Sequence, residues 1–217
     1  MLDFASARRQ MIEQQVRAWD VLDADVLDVM ARLPREEFAP PAYRDLALAD
    51  MRVPLGHGQA MLSPKLEGRI LQSLAIKRED AVLEVGTGSG WFAACLGGLA
   101  SRVRTLEIFP DLAEAARDNL ARNGIGNVTV EAMDAMTLLP GVEYDVIALT
   151  GSLPMHDPRF EQRLAVGGRL FVVVGQGPAM EARLVTRVGR DEWMRESLFE
   201  TMMDPLLHAE RPSRFIF

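Results

Sequence analysis

Residues 82–91 read Val-Leu-Glu-Val-Gly-Thr-Gly-Ser-Gly-Trp. A short apolar run carries an acid, Glu84. Glycines follow at alternate positions, Gly86, Gly88 and Gly90, and a helix-compatible stretch runs from 91 to 99. Strand, tight glycine turn, helix is the nucleotide-binding opening of a doubly wound α/β sheet. The glycines let the backbone turn sharply and let a ligand lie against it with no Cβ in the way.

The spacing points to a ligand class. A dinucleotide site reads G-x-G-x-x-G, with its third glycine where helix packs on strand. Trp91 occupies that place here, which disfavours a nicotinamide-dependent oxidoreductase. The pattern is instead E-x-G-x-G-x-G, the form typical of S-adenosylmethionine (SAM) methyltransferases. SAM lacks a pyrophosphate but carries a sulfonium and an α-amino group, so an acid beside the loop, Glu84, is electrostatically sensible.

Two further acids repeat the theme. Residues 103–108 form a second apolar run, and its Glu107 lies 21 positions after Gly86. An acid at that distance, ending the second strand, can accept hydrogen bonds from ribose hydroxyls. Residues 110–123 read as a helix with Leu112, Ala115, Ala116 and Leu120 as its apolar stripe and Gly124 as its stop. A third strand, 128–132, leads to Asp134, placed to accept from the adenine amine.

The remainder fits the same plan. Residues 1–50 are expected to be helical, with amphipathic stretches at 11–19 and 26–33. Residues 51–64 read as a Gly- and Pro-rich loop, and 64–75 as a helix. Strands are expected at 144–150 and 169–174, with a short helix at 160–164 and a turn at Gly167-Gly168 between them. Residues 182–188 and 193–201, flanking Gly189-Arg190, read as a terminal hairpin. The expected fold is therefore Rossmann-like α/β. It has a mostly parallel seven-stranded sheet, a C-terminal antiparallel hairpin and an N-terminal helical segment. A single domain is expected over 1–217, with 1–64 as cap and acceptor loop and 65–217 as sheet core.

Bulk properties narrow the partners. A net charge of −7 disfavours broad charge-driven binding to nucleic acid. Cys95, the one cysteine, excludes an internal disulfide, and it reads as a buried thiol. Three scattered histidines, His57, His156 and His208, give no metal-ligand spacing. The first ten residues lack a signal-peptide core, and the longest uncharged run, 85–101, contains five glycines. A cytoplasmic protein without a membrane span is expected.

The chain resembles the protein-L-isoaspartate (D-aspartate) O-methyltransferases over nearly its whole length. Pro34-Arg35-Glu36-Glu37-Phe38 resembles that family's P-R-E-x-F stretch, and 82–90 its SAM loop. Leu106-Glu107-Ile108, Asp134, Tyr144-Asp145, Thr150 and Gly167-Gly168-Arg169-Leu170 fall in the family's order. Pro54-Leu55-Gly56-His57-Gly58-Gln59 is the more specific match. The resemblance implies methyl transfer from SAM to the carboxylate of isoaspartyl residues, which arise as Asn and Asp age. The ester closes to a succinimide that can reopen as aspartate, a form of protein repair. It also implies a cofactor set of Glu84, Gly86, Thr87, Gly88, Ser89, Gly90, Glu107, Ile108, Asp134, Ala135 and Thr150.

One departure concerns the acceptor. The family usually reads G-H-G-Q-T-I-S-x-P, with Thr and Ser hydroxyls near the methyl and the substrate. Here Ala60 and Leu62 stand at those places, and Ser63 lies one residue late, where an extended chain points it the other way. The expected catalytic segment is thus His57, Gln59, Ala60, Leu62 and Ser63. Replacement donors are backbone amides at 57–60, Lys65 or Arg52. The more apolar segment leaves a second reading open: the same fold and cofactor with another polypeptide or small-molecule acceptor, or SAM binding without isoaspartyl activity.

Overall fold

The computed structural model describes residues 3–137 and 142–212. Its helices are α1 (Phe4–Met11), α2 (Ala24–Arg32), α3 (Arg35–Phe38), α4 (Pro64–Leu74), α5 (Trp91–Leu99), α6 (Pro110–Arg122) and α7 (Pro158–Glu161). Its strands are β1 (Val53–Gly56), β2 (Gln59–Met61), β3 (Ala81–Val85), β4 (Arg102–Glu107), β5 (Val128–Ala132), β6 (Tyr144–Leu149), β7 (Leu164–Gln176), β8 (Ala179–Gly189) and β9 (Glu192–Glu200).

Seven strands form one sheet in the order β5-β4-β3-β6-β7-β8-β9. The strands β3 to β7 run parallel, and β8 is antiparallel to both its neighbours. The expected α/β architecture is therefore present. All five residues of β3 are buried, as a central parallel strand covered on both faces requires. Val82 faces a cluster containing Ile70, Leu71, Trp91 and Phe92, so α4, α5 and the N-terminal helices cover that side. Leu83 and Val85 face the other, against Leu106, Ile147, Leu149 and Phe160. Strand order reverses at β3, flanked by β4 and β6, and the crevice beyond their carboxyl ends is where such sheets bind ligands.

Several local expectations are corrected. The predicted helix at 11–19 is a π turn over Ile12–Val16 followed by a 3-10 turn over Arg17–Trp19. The wider turn places Met11, Ile12 and Val16 together in the core. The short helix lies at Pro158–Glu161, and Leu164 already belongs to β7. Gly167-Gly168 is an irregularity inside β7, where the pairing with β6 slips between Tyr144 and Val146. A Cβ on Gly168 would stand 2.8 Å from the Ala165 carbonyl, so only glycine fits there.

The largest correction falls on residues 51–64. They form a two-stranded antiparallel ribbon, with Val53 opposite Met61 and Pro54 opposite Ala60. His57 and Gly58 both have positive φ, 51° and 71°, as a type I′ hairpin turn demands. Pro54 is tolerated because the ribbon has free edges. Among the described residues, no helix is long and apolar enough to cross a membrane.

Candidate active site

The glycine turn is held from three sides. Gly86 N–H donates to the Leu106 carbonyl at 2.9 Å and Gly90 N–H to the Thr87 carbonyl at 2.9 Å. Gly86, Gly88 and Gly90 all have positive φ. A Cβ on Gly86 would stand 2.3 Å from Thr150 Oγ1, and one on Gly90 would stand 3.2 Å from Ala116 Cβ. Thr150 reaches across from the end of β6 and donates to the carbonyls of Val85 and Gly86. Thr87 and Ser89 are buried within the turn, Thr87 against Thr105 and the Ser89 carbonyl against Asn119.

Beyond the turn lies a cleft of about 780 Å³, counting its open mouth. Gly86, Gly88, Glu107, Ile108, Asp134, Ala135 and Thr150 all line it. Glu107 accepts from the Gly88 amide at 2.8 Å and from the Phe109 amide at 3.1 Å, so its carboxylate is fixed at the end of β4. Asp134 accepts from the Met136 amide at 2.9 Å and meets His208 Nδ1 at 2.8 Å. Burial works against the Asp134 carboxylate, but the His208 and Met136 hydrogen bonds outweigh it and hold its pKa below the ordinary range.

Glu84 is elsewhere. It was expected beside the ligand, but it is fully buried and does not line the cleft. Thr105 Oγ1 donates to it at 2.5 Å, and Thr105 in turn meets Thr87 Oγ1 at 2.6 Å. The carboxyl therefore braces the glycine turn from beneath. Burial pushes its pKa up to about 8, with help from the nearby Glu107 and Glu67 charges and against the Thr105 hydrogen bond.

The β1–β2 ribbon forms the opposite wall. Gln59, Ala60 and Leu62 line the cleft, and Leu55 leans over Gly88. Met61, between Ala60 and Leu62, does not line the cleft; Leu62 does, while its side chain is also buried in the core cluster with Met61. Ser63 does not line the cleft. It occupies the N-cap position of α4, where its carbonyl accepts from Leu66 and Glu67. His57 is also outside: its ring stacks on Phe109 at 4.2 Å and its Nε2 meets Asp111 at 2.8 Å. Gln59 donates to the His57 carbonyl at 3.3 Å and so stiffens the turn. Lys65 pairs with Asp50 and lies over Trp19, away from the cleft.

Arg35, in the Pro-Arg-Glu stretch, explains how the ribbon is held. It is fully buried, paired with Glu67 and stacked over Trp91. Its Nη2 donates to the Leu62 carbonyl at 2.6 Å and its Nε to the Ala47 carbonyl at 2.8 Å. Trp91 is thus buried under Arg35 rather than facing a ligand. Burial pushes the Glu67 carboxyl above its ordinary range, against the pull of Arg35.

Sequence reasoning missed the segment 203–207, which also lines the cleft. It lies after the last strand and carries no motif. Ser152 tethers it, donating its amide to the Asp204 carbonyl at 2.8 Å and its hydroxyl to the Met203 carbonyl at 2.8 Å. His208, exposed on the surface, partners Asp134, and Asp204 pairs with Arg52. No local signal marks either pair, because the partners are 74 and 152 positions apart.

Comparison with known proteins adds a family. Residues 6–211 match the family model described as protein-L-isoaspartate(D-aspartate) O-methyltransferase. The chain is 38% identical over 210 residues to protein-L-isoaspartate O-methyltransferase 1 of Rhodopseudomonas palustris (strain HaA2), covering 95% of this chain and 85% of that one. It is 36% identical to protein-L-isoaspartate O-methyltransferase 2 of Marinobacter nauticus, covering 96% of each. A crystal structure of a beta-aspartate methyltransferase from Plasmodium falciparum, in complex with S-adenosyl-L-homocysteine, superposes with a TM-score of 0.81. It is 18% identical and covers 92% of this chain and 97% of that one, which shows a shared fold.

Proposed function

The chain belongs to the protein-L-isoaspartate(D-aspartate) O-methyltransferase family, and on that premise we propose that it methylates the carboxylate of isoaspartyl residues in polypeptides. The observation that carries this reading is the cleft at the sheet's switch point, with a glycine turn on one side and the family's acceptor segment on the other. The residues present fit SAM. Gly86 and Gly88 present bare backbone to the cleft, and Glu107 presents a fixed carboxylate at the end of β4. Asp134 and Ala135 line the next loop. SAM supplies an activated methyl group on a sulfonium.

The chain's own residues have a simple task. A carboxylate with a pKa near ~4 is already ionised at neutral pH, so no general base is required. The protein must hold donor and acceptor in line and keep water out. Glu107 and the glycine turn fix one side of the cleft. The ribbon, pinned through Arg35 to the Leu62 carbonyl and through His57 to Phe109, fixes the other. His57 then acts as a structural clamp, and Glu84 as a brace for the turn.

Ala60 and Leu62 favour a second reading, because they offer the acceptor two apolar side chains. Under that reading a less polar acceptor takes the same place. Radiolabelled methyl transfer to an isoaspartyl peptide, beside its normal aspartyl counterpart, decides between them. We expect label in the isoaspartyl peptide alone. Binding of S-adenosylhomocysteine without transfer to either peptide would favour the second reading.

A further inference from the structure

The acceptor must bring a negative charge into a cleft that is already acidic. Among the described residues, the charged side chains lining that cleft are Glu107, Asp134, Asp204 and Arg52. Arg52 is thus the one cation that faces it. The Ala60 and Leu62 side chains contribute no donor, and Lys65 is engaged elsewhere.

Arg52 also stands at a seam. It lines the cleft and an adjoining groove, together with Met203, Asp204 and Pro205. That groove is lined further by Pro154, Met180 and Met202, surfaces suited to the polypeptide on either side of an acceptor residue. Arg211 lines the groove but not the cleft.

The Arg52 guanidinium is paired with the Asp204 carboxylate, and both side chains are 47% exposed. An ion pair so open to water is weak and exchanges partners readily. The Asp204 backbone is fixed, since its carbonyl accepts from the Ser152 amide, so its side chain can swing aside without moving the segment. A planar guanidinium suits a carboxylate, which it can hold with two parallel hydrogen bonds.

Resting on the isoaspartyl reading above, we propose that Arg52 receives the acceptor carboxylate and that Asp204 is its resident stand-in, displaced on binding and restored on release. In the transfer, a carboxylate oxygen forms a bond to the methyl carbon as the carbon–sulfur bond breaks. The bonding pair passes to sulfur, and the products are a neutral ester and a neutral thioether. No proton moves. The ester has lost the charge that held it to Arg52, and Asp204 reclaims the guanidinium. The exchange therefore favours substrate over product.

Steady-state methyl transfer to an isoaspartyl peptide tests this with three substitutions. Arg52→Gln should raise KM at least about 10-fold, the cost of one charge-assisted hydrogen bond. Asp204→Asn should lower KM, because the competing carboxylate is gone. Arg211→Gln, which removes the same charge from outside the cleft, should move KM less than Arg52→Gln. Calorimetric binding of S-adenosylhomocysteine, without peptide, should shift less than KM in Arg52→Gln. If Arg52 only props the segment 203–207, both Arg52→Gln and Asp204→Asn break the prop and shift KM the same way. That result, or an unmoved KM in Arg52→Gln with turnover intact in the parent, overturns the proposal alone. A parent that binds S-adenosylhomocysteine but does not methylate the peptide overturns the functional reading and the proposal with it.

Discussion

The Gly88 amide donates to Glu107 Oε2 at 2.8 Å, tying the glycine turn after β3 to the carboxylate that ends β4. The turn is therefore preorganised by the same side chain that faces the cleft. Each carboxylate oxygen can accept a second hydrogen bond, so this brace leaves Glu107 able to take ligand hydroxyls.

Removing that carboxylate should loosen the turn and the ligand together. Glu107→Ala is expected to weaken S-adenosylhomocysteine binding about 10- to 100-fold, in line with the loss of hydrogen bonds to a charged group. Glu107→Gln keeps one acceptor but sets an amide donor against the Gly88 or Phe109 N–H. It should fall between Glu107→Ala and the parent. Calorimetry measures both, and parental affinity in Glu107→Ala would exclude Glu107 from the ligand site.

Gly86 is the turn's least replaceable position. Its φ is 99°, and an added Cβ would meet Thr150 Oγ1, which is itself bonded to two carbonyls of the turn. Gly86→Ala should cost at least about 2 kcal/mol from backbone strain and clash. Gly124 has φ 69° and open space around it, so Gly124→Ala should cost only the strain. Urea denaturation of the two variants compares them, and equal losses would remove the role assigned to Thr150.

Glu84 makes stability depend on pH. Its folded pKa, about 8, lies above the ordinary 4.5. The folded chain therefore holds this proton more tightly than the unfolded chain. The associated stability is full below pH 4.5 and is lost as pH rises through 8, at up to about 1.4 kcal/mol per pH unit. Glu84→Gln keeps the Thr105 hydrogen bond and cannot ionise. Its melting temperature relative to the parent should rise between pH 5 and pH 9, and a flat difference would show Glu84 to be ionised in the fold.

Ala60 and Leu62 share the cleft face of the ribbon, so restoring hydroxyls there should place them where an acceptor lies. The double substitution Ala60→Thr, Leu62→Ser is expected to raise kcat/KM for an isoaspartyl peptide by about 10-fold, one net hydrogen bond to a charged group. Leu62 is also part of the core cluster, so the double variant should melt below the parent; a hydroxyl placed instead at Met61, which is buried and does not line the cleft, should bring the instability without the gain. An unchanged kcat/KM in the double variant would mean that this chain's acceptor does not meet that face.

The architecture was legible because it is written in short-range patterns. The β3 apolar run, the three glycines and the α6 stripe each constrain the backbone locally, and together they leave one arrangement of sheet and turn. The ribbon at 53–61 was not legible, since its turn uses His57 at positive φ and its first strand contains Pro54. Glu84 misled for a different reason. A strand buried on both faces gives no alternation from which to tell whether an acid looks toward the ligand or away from it.

The strand–glycine–helix core, the order of the acids along successive strand ends and the absence of two acceptor-side hydroxyls are all legible in residue order. These depend on residue type and near spacing, which fix backbone sterics and hydrogen-bonding capacity. Which charges meet depends instead on the packing of the layers. Arg35 with Glu67, His57 with Asp111, His208 with Asp134 and Arg52 with Asp204 join elements far apart in the chain. Such pairings depend on how the packed layers bring their ends together, and no local pattern carries that distance.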